Sequence, residues 1–232
     1  MRSYDRRLAP LIDVFKFKET QRVLEVGCGF GHDLIWTAQA GGGRAVGIDV
    51  NSAFVDIARR TKASVEKHIG RSIDVDIRRC NLLDMSLDEQ SGLIYMKDTF
   101  HHLEPRDEVV ARLSALLGPG GTIVIVEPNA WNPLIQLQMF RIRGFRTVVE
   151  KTDSATGARF IFGNERLVTG VRLRSLFKRR GIHGLSKTIR FLPTKLSRQS
   201  LLVRIALLLE RMHLEPLLCP ACIHTIYVGR KE

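Results

Sequence analysis

The stretch Arg22-Val23-Leu24-Glu25-Val26-Gly27-Cys28-Gly29-Phe30-Gly31 decides how the rest of the chain is read. Arg22 to Val26 is a short apolar run, of strand length rather than helix length. Three glycines at alternate positions follow it, and His32 to Ala40 then reads as a helix stopped by Gly41-Gly42-Gly43. Strand, glycine turn and helix form the opening of a βαβ unit. Glycines there let the main chain turn tightly and let a ligand approach the backbone. The helix behind them offers free N–H groups to an anionic ligand group. The spacing is G-x-G-x-G. Dinucleotide binders place the third glycine one residue later, which counts against a nicotinamide dehydrogenase.

Working outward, Ala45 to Val50 is a second strand, with Asp49 at its end, 18 residues after Gly31. An acidic side chain there is placed to accept hydrogen bonds from both hydroxyls of a ribose. Asn51 or Ser52 caps a long helix that Gly70 stops near His68. Ile73, Val75 and Ile77 alternate with polar residues as a third strand, and Leu93 to Lys97 is a fourth. Pro105 opens a helix to Leu117, whose buried stripe is Val109, Val110, Leu113, Leu116 and Leu117. Thr122 to Val126 is apolar throughout, as a strand buried on both faces should be. Five strands with helical crossovers predict an α/β fold, an open parallel sheet wound on both faces. Ligands in such sheets lie beyond the carboxyl ends of the strands. Functional residues should therefore follow strands one to four.

The second half is less regular. Residues 128–165 show no clear periodicity, and Arg172 to Arg180 reads as a short basic helix. Ile189 to Leu192 and Ile223 to Val228 read as two more strands. Ser197 to Leu214 is a strongly apolar helix that sets Arg198, Arg204 and Arg211 roughly on one face. At the other end of the chain, residues 4–16 read as a leading helix interrupted near Pro10.

Several segments together resemble the class I S-adenosylmethionine-dependent methyltransferases, in their small-molecule branch (methyltransferase type 11-like). VLEVGCGFG resembles the family's first motif, GIDVN the end of its second strand, and CNLLDMSL the loop after its third. GLIYMKDTFHHL is similar to the segment of the fourth strand, and LLGPGGTIVIVEPN to that of the fifth. The resemblance is close over residues 20–130 and loose beyond. It implies a Rossmann-like, seven-stranded, mostly parallel sheet with helices on both faces and an antiparallel last strand. It also implies S-adenosylmethionine as methyl donor. On that reading Gly27, Gly29 and Gly31 line the methionine and ribose portion, and Glu25 orients the loop and reaches the amino group through water. Asp49 binds the ribose hydroxyls, Val50 packs on the adenine, and Asn81 and Leu82 meet the adenine edge. Asn81 departs from the acidic residue often found there. Asp98 and Thr99 lie under the sulfonium.

Length supports one domain: 232 residues suffice for a single α/β unit and fall short of two. Its expected parts are an N-terminal helix (1–20), a donor-binding core (21–127), an acceptor lid with closing helices (128–218) and the last strand (219–232). With 44% hydrophobic and 26% charged residues, disorder and collagen-like structure are excluded. Residues 1–140 carry net charge −1 and residues 141–232 carry +13. That asymmetry points to an anionic partner, or to a solvated basic face, on the carboxyl-terminal side. Four cysteines and no secretory signal suit a cytoplasmic, reducing compartment. No apolar stretch reaches membrane-spanning length.

Methyl transfer asks mainly for alignment of the acceptor with the methyl group. A base helps where the acceptor is a hydroxyl or an acidic carbon, and His102 or His101 is the candidate, with His102 slightly favoured. The expected acceptor is a small, amphiphilic or anionic molecule, quinone-like or lipid-like, methylated on oxygen or carbon. Trp131, Phe140, Phe145, Phe160 and Phe162 would wall its pocket, and the arginine-bearing helix 197–214 would make peripheral membrane contact. The alternative is RNA gripped by Arg172, Arg174, Lys178, Arg179 and Arg180, a cluster with little aromatic interleaving. A non-catalytic subunit that keeps the donor fold is the third reading. Cys219 and Cys222, with His213 and His224 nearby, are half of a zinc-ribbon spacing without the other half, so turn residues are expected there and no metal.

Overall fold

The computed structural model describes residues 22–41, 43–88, 90–152, 157, 159–191 and 200–232. The first strands and helices alternate: β1 (Val23–Val26), α1 (His32–Gly41), β2 (Ala45–Asp49), α2 (Ser52–Ile69), β3 (Val75–Arg79) and β4 (Ser91–Lys97). They continue with α3 (Arg106–Leu116) and β5 (Leu117–Pro128). Then come α4 (Pro133–Arg143), the strands β6 (Val148–Thr152) and β7 (Arg159–Gly163), α5 (Gly170–Lys178), β8 (Ile182–Ile189), α6 (Ser200–Arg211) and β9 (His224–Lys231).

Seven strands form one sheet in the order β3-β2-β1-β4-β5-β9-β8, and β6 pairs with β7 in a separate antiparallel hairpin. The pairs from β3 to β5 are parallel, whereas β9 runs antiparallel to both β5 and β8. Strand order reverses between β1 and β4, which opens a crevice at their carboxyl ends.

Each strand sends alternate side chains to opposite faces. On one face Leu24, Val26, Ile94, Met96, Ile123 and Ile125 pack with α3 and α5 residues such as Leu113 and Phe177. On the other, Val23, Leu93, Tyr95, Val124 and Val126 pack with α1 and α2 through Leu34, Ile35, Val55 and Ala58. The long helix α2 begins where Asn51 accepts hydrogen bonds from the N–H groups of Ala53 and Phe54, and ends at a left-handed Gly70.

The second half departs from the sequence reading. Residues 128–165 hold α4 and the β6–β7 hairpin, which the lack of periodicity concealed. The strand expected at Ile189–Leu192 lies earlier, at Ile182–Ile189. Between its buried ends it alternates exposed and half-buried positions through His183, Gly184, Ser186 and Lys187, so its polar residues mask an edge strand. The apolar helix expected over 197–214 spans Ser200–Arg211, with Arg204 and Arg211 exposed. Arg198 and the expected leading helix lie outside the described residues.

Leu113, fully buried between α3 and the sheet, tests the packing. Leu113→Ala should lower unfolding free energy by about 2–5 kcal/mol in urea denaturation, the cost of a core cavity.

Candidate functional site

The crevice is built on the glycine loop that leaves β1. Gly27, Gly29 and Gly31 all have positive φ, of 70°, 50° and 76°. At Gly27 a Cβ would lie 2.4 Å from Thr99 Oγ1, so the missing side chain lets the turn after β4 close beneath the loop. At Gly29 a Cβ would meet nothing within 4 Å; there the requirement is the backbone conformation, and the space above is open.

Asp49 ties this loop to the next one. Its Oδ2 accepts the Gly29 N–H at 3.0 Å and its Oδ1 accepts the Asn51 N–H at 2.9 Å. A carboxylate offers about four lone-pair sites, so two remain for a ligand. Glu25, in β1 just before the loop, is buried, and its Oε2 has no hydrogen-bond partner. Burial, with the Asp33 carboxylate beside it, pushes Glu25 well above the usual carboxylate range, and the Lys97 ammonium pulls it back. Asp33 stands in the first turn of α1, ion-paired to Lys97 and within 3.3 Å of the Tyr95 hydroxyl. The floor of the loop is thus a buried acidic network that includes the Lys97 ammonium.

Val50 and Asn81 come together along a cavity of about 700 Å³, roofed by Phe160 and Ile161 of the hairpin. Asn81 Oδ1 accepts the Leu83 N–H and so shapes the turn after β3. The Leu82 side chain does not face this cavity; it is buried in the core with Met85 and Val110. Asp98, at the end of β4, has a positive φ of 52°, and its Oδ1 lies 4.0 Å from His224 Nε2.

Beyond Asp98 the chain makes a single 3-10 turn, Phe100–His102, held by Glu127 of β5. Glu127 Oε1 accepts the N–H groups of Thr99 and Phe100, at 3.0 and 2.7 Å, and Oε2 pairs with His101 Nδ1 at 2.5 Å. His101 Nε2 faces Glu165 Oε2 at 3.4 Å. Burial by itself would lower the His101 pKa, but Glu127 and Glu165 outweigh it and push it up to about 10. His101 is therefore a buried cation at neutral pH. The hydrogen bond from His101 holds Glu165 below its usual range despite partial burial.

His102 is the more open of the two. Its Nδ1 bonds the Gly163 carbonyl at 2.9 Å, and Phe162 stacks on its ring with centroids 4.6 Å apart. A carbonyl only accepts, so Nδ1 carries the proton and Nε2 the lone pair. Burial, and then the neighbouring His101 cation, lower the pKa of His102. The two histidines thus differ: His101 is a fixed charge, His102 a neutral imidazole whose Nε2 lies 3.9 Å from Glu165. These two and Glu165 bring ligand-type atoms within 4.8 Å of one another. Cys219 and Cys222 bracket a 3-10 turn before β9, and their carbonyls accept from Asn129.

Sequence reasoning missed Glu127, Glu165 and the Asp33–Lys97 pair. A lone acid closing the apolar run TIVIV was a signal for Glu127. Glu165 left none, since it comes from the aperiodic segment and meets the histidines only through the hairpin. Because the His101 pKa rises from 6.5 to about 10 on folding, its contribution to stability is complete below pH 6.5 and is lost as pH climbs towards 10. His101→Gln should remove that portion of the decline, measured as urea midpoints at neutral and alkaline pH.

Residues 24–123 match the family model described as a methyltransferase domain. Phosphoethanolamine N-methyltransferase 1 of Triticum aestivum is 29% identical over 115 residues, which cover 49% of this chain and 22% of that protein. Methyltransferase GfsG of Streptomyces halstedii is 27% identical over 128 residues, 55% of this chain and 45% of its own length. The chain thus spans less than half the length of either curated relative. A solved S-adenosylmethionine-dependent methyltransferase from Methanosarcina mazei superposes with TM-score 0.65 at 17% identity, covering 97% of this chain and 98% of that one. Magnesium protoporphyrin IX methyltransferase from Synechocystis, solved with bound S-adenosylhomocysteine, gives 0.62 at 14% identity over 100% and 83% of the two chains. At those identities what is shared is the fold. Residues 24–123 thus match a methyltransferase domain, and the seven-stranded sheet around them shares the fold of solved S-adenosylmethionine-dependent methyltransferases.

Proposed function

We propose that the protein transfers a methyl group from S-adenosylmethionine to an oxygen or carbon atom of a small, amphiphilic acceptor. The observation that carries this reading is the pair of carboxylates at the glycine loop. Asp49 has lone pairs left for a ribose diol, and the buried Glu25 has an oxygen without a partner, which suits an ammonium group. The open space at Gly29 leaves room for a ligand against the main chain. Val50 and Asn81, under the hairpin roof, suit a flat heteroaromatic ring. When bound, the donor supplies an activated methyl on a sulfonium, so the protein's task is to hold an acceptor in line and keep water away.

His102 is the general base of this reading. Its Nε2 lies 3.9 Å from Glu165, outside hydrogen-bond distance, so its lone pair is available to an acceptor hydroxyl. Glu127 and His101 are positioning residues, since they hold the turn that carries His102. Phe162 and Phe160, on the hairpin, supply apolar wall, which favours an acceptor with a hydrophobic part. The wheat relative's named acceptor, phosphoethanolamine, is also a small molecule.

Calorimetry with S-adenosylmethionine should detect binding, and Asp49→Ala should weaken it by about 1.5–3 kcal/mol, the value of hydrogen bonds to a charged group. An unchanged dissociation constant would show that Asp49 does not hold the sugar. Cell extract given radiolabelled donor and split into lipid, RNA and aqueous fractions should carry no enzyme-dependent label in RNA. Transfer to a hydroxyl acceptor should rise with pH through a His102 pKa below 6.5 and then level off. His102→Gln should cut transfer by about 10²–10⁴-fold and flatten that profile, with donor affinity retained.

A further inference from the structure

Two helices of the second half present their apolar sides outward. None of the residues of α4 is buried, although Leu134, Leu137, Phe140 and Ile142 lie on it, and Leu134 is 75% exposed. Phe145, just past its end, is 90% exposed, and Trp131, just before its start, is exposed as well. In α6 the inward positions are Ala206 and Glu210, one turn apart. Its outward stripe is Leu201, Ile205 and Leu208, continued by Met212 just past its end, spaced by four, three and four residues and all exposed. Single exposed apolar residues are ordinary, but a contiguous apolar face on a short helix marks an interaction surface. A helix of eleven or twelve residues is marginal in water without a partner for that face.

The two faces open from one corner. Asn129 and Asn132, at the base of α4, each donate to the Cys222 carbonyl at 3.0 Å, and Asn129 also donates to the Cys219 carbonyl at 2.7 Å. Trp131 shares a cavity of about 590 Å³ with Glu210, His213 and Pro216 at the far end of α6. That corner lies where β5 ends and β9 begins, at the carboxyl-terminal edge of the parallel strands, on the same side as the donor loop. Both faces have basic neighbours: Arg141, Arg143 and Arg146 for α4, and Arg204 and Arg211 for α6. Residues 129–149 contain no acidic residue, and the first acid in α6, Glu210, points inward.

We infer that the outward faces of α4 and α6 form one docking surface for the headgroup region of an anionic lipid bilayer. Apolar side chains flanked by arginine are the composition of helices that lie in that interface. Among the described residues no helix is long and apolar enough to cross a membrane, so the contact is peripheral. Charge decides against a second copy of the chain as the occupant, because two such basic faces would repel, whereas anionic headgroups satisfy them. This deepens the reading of an amphiphilic acceptor and rests on it for its purpose, since docking would hold the crevice at the surface where such an acceptor resides.

The test uses the full chain and vesicles of phosphatidylcholine with or without phosphatidylglycerol. Sedimentation should show binding to the anionic vesicles, weakened by added salt and much weaker on phosphatidylcholine alone. Trp131 fluorescence should shift to the blue and be quenched by brominated acyl chains, against the background of Trp36, which is partly buried in the core. Leu134→Glu combined with Leu208→Glu should weaken vesicle binding at least about tenfold, because two apolar contacts become repelled charges. Absence of binding at low salt, or equal binding by the double variant, would overturn the inference. So would a solution dimer, seen by light scattering, that the same substitutions dissociate while vesicles are ignored. Donor calorimetry on the same samples separates the two proposals. If the unaltered chain binds the donor but no anionic vesicles, the docking surface alone falls, and if it binds no donor, the proposed function falls.

Discussion

A carboxylate removed from water must be given partners, and Glu127 shows what that demand can organise. It is fully buried in β5, where its neighbours are apolar, and it meets the cost through three donors from one turn: the N–H groups of Thr99 and Phe100 and the ring of His101. Those bonds fix the path of the chain as it leaves β4. Thr99 is thereby set under Gly27, at a spacing that no side chain larger than hydrogen would allow. His101 is drawn inward and held as a cation, and its far nitrogen anchors Glu165. The hairpin arrives with Glu165 and lays Gly163 and Phe162 against His102. One buried acid therefore links the donor loop, the histidine turn and the roof of the crevice.

The first half of this arrangement was open to reading because it rests on local rules. Positive φ needs glycine, and three of them at alternate positions after a short apolar run describe a turn whatever the tertiary context. Asp49 was legible for a similar reason: it ends a strand next to that turn, and strand ends at the crevice face ligands. The histidine pair was legible as a pair, but not by role, since consecutive residues after a strand can exchange faces with a small change in the turn. Glu127 and Glu165 on one ring, and the Gly163 carbonyl on the other, separate the two into a cation and a neutral imidazole. None of these partners is a sequence neighbour of the histidines.

The second half resisted for physical reasons. α4 has apolar residues on most sides and buries none of them, so no stripe distinguishes it from irregular chain. β8 is paired on one side only, to β9, and its polar alternation hides it beside the apolar run that follows. α6 was found by its composition, yet its orientation was not, because hydrophobic spacing identifies a face without saying whether protein or something else lies against it. Burial of Ala206 and Glu210 settles that the leucine stripe turns outward. Pattern reading assumes that apolar faces point to the core. These two helices break the assumption, and they are the elements given an external partner above.

Charge divides along the same line, and chemistry asks for that division. The donor carries positive charge on both its sulfonium and its amino group, so its floor must not be basic. Asp33 and Asp49 supply carboxylates there, with Lys97 tied to Asp33 and the buried Glu25 beside them. An anionic bilayer asks the opposite of the surface that meets it. A single mixed face could not serve both, because arginines near the loop would repel the donor and carboxylates near the lipid would repel the headgroups. Placing nearly balanced charge in residues 1–140 and an excess of thirteen positive charges in residues 141–232 keeps the two requirements apart along the chain. The sheet then sets the glycine loop and the base of α4 at the same edge, so the surface proposed for anions lies beside the crevice proposed for a cation.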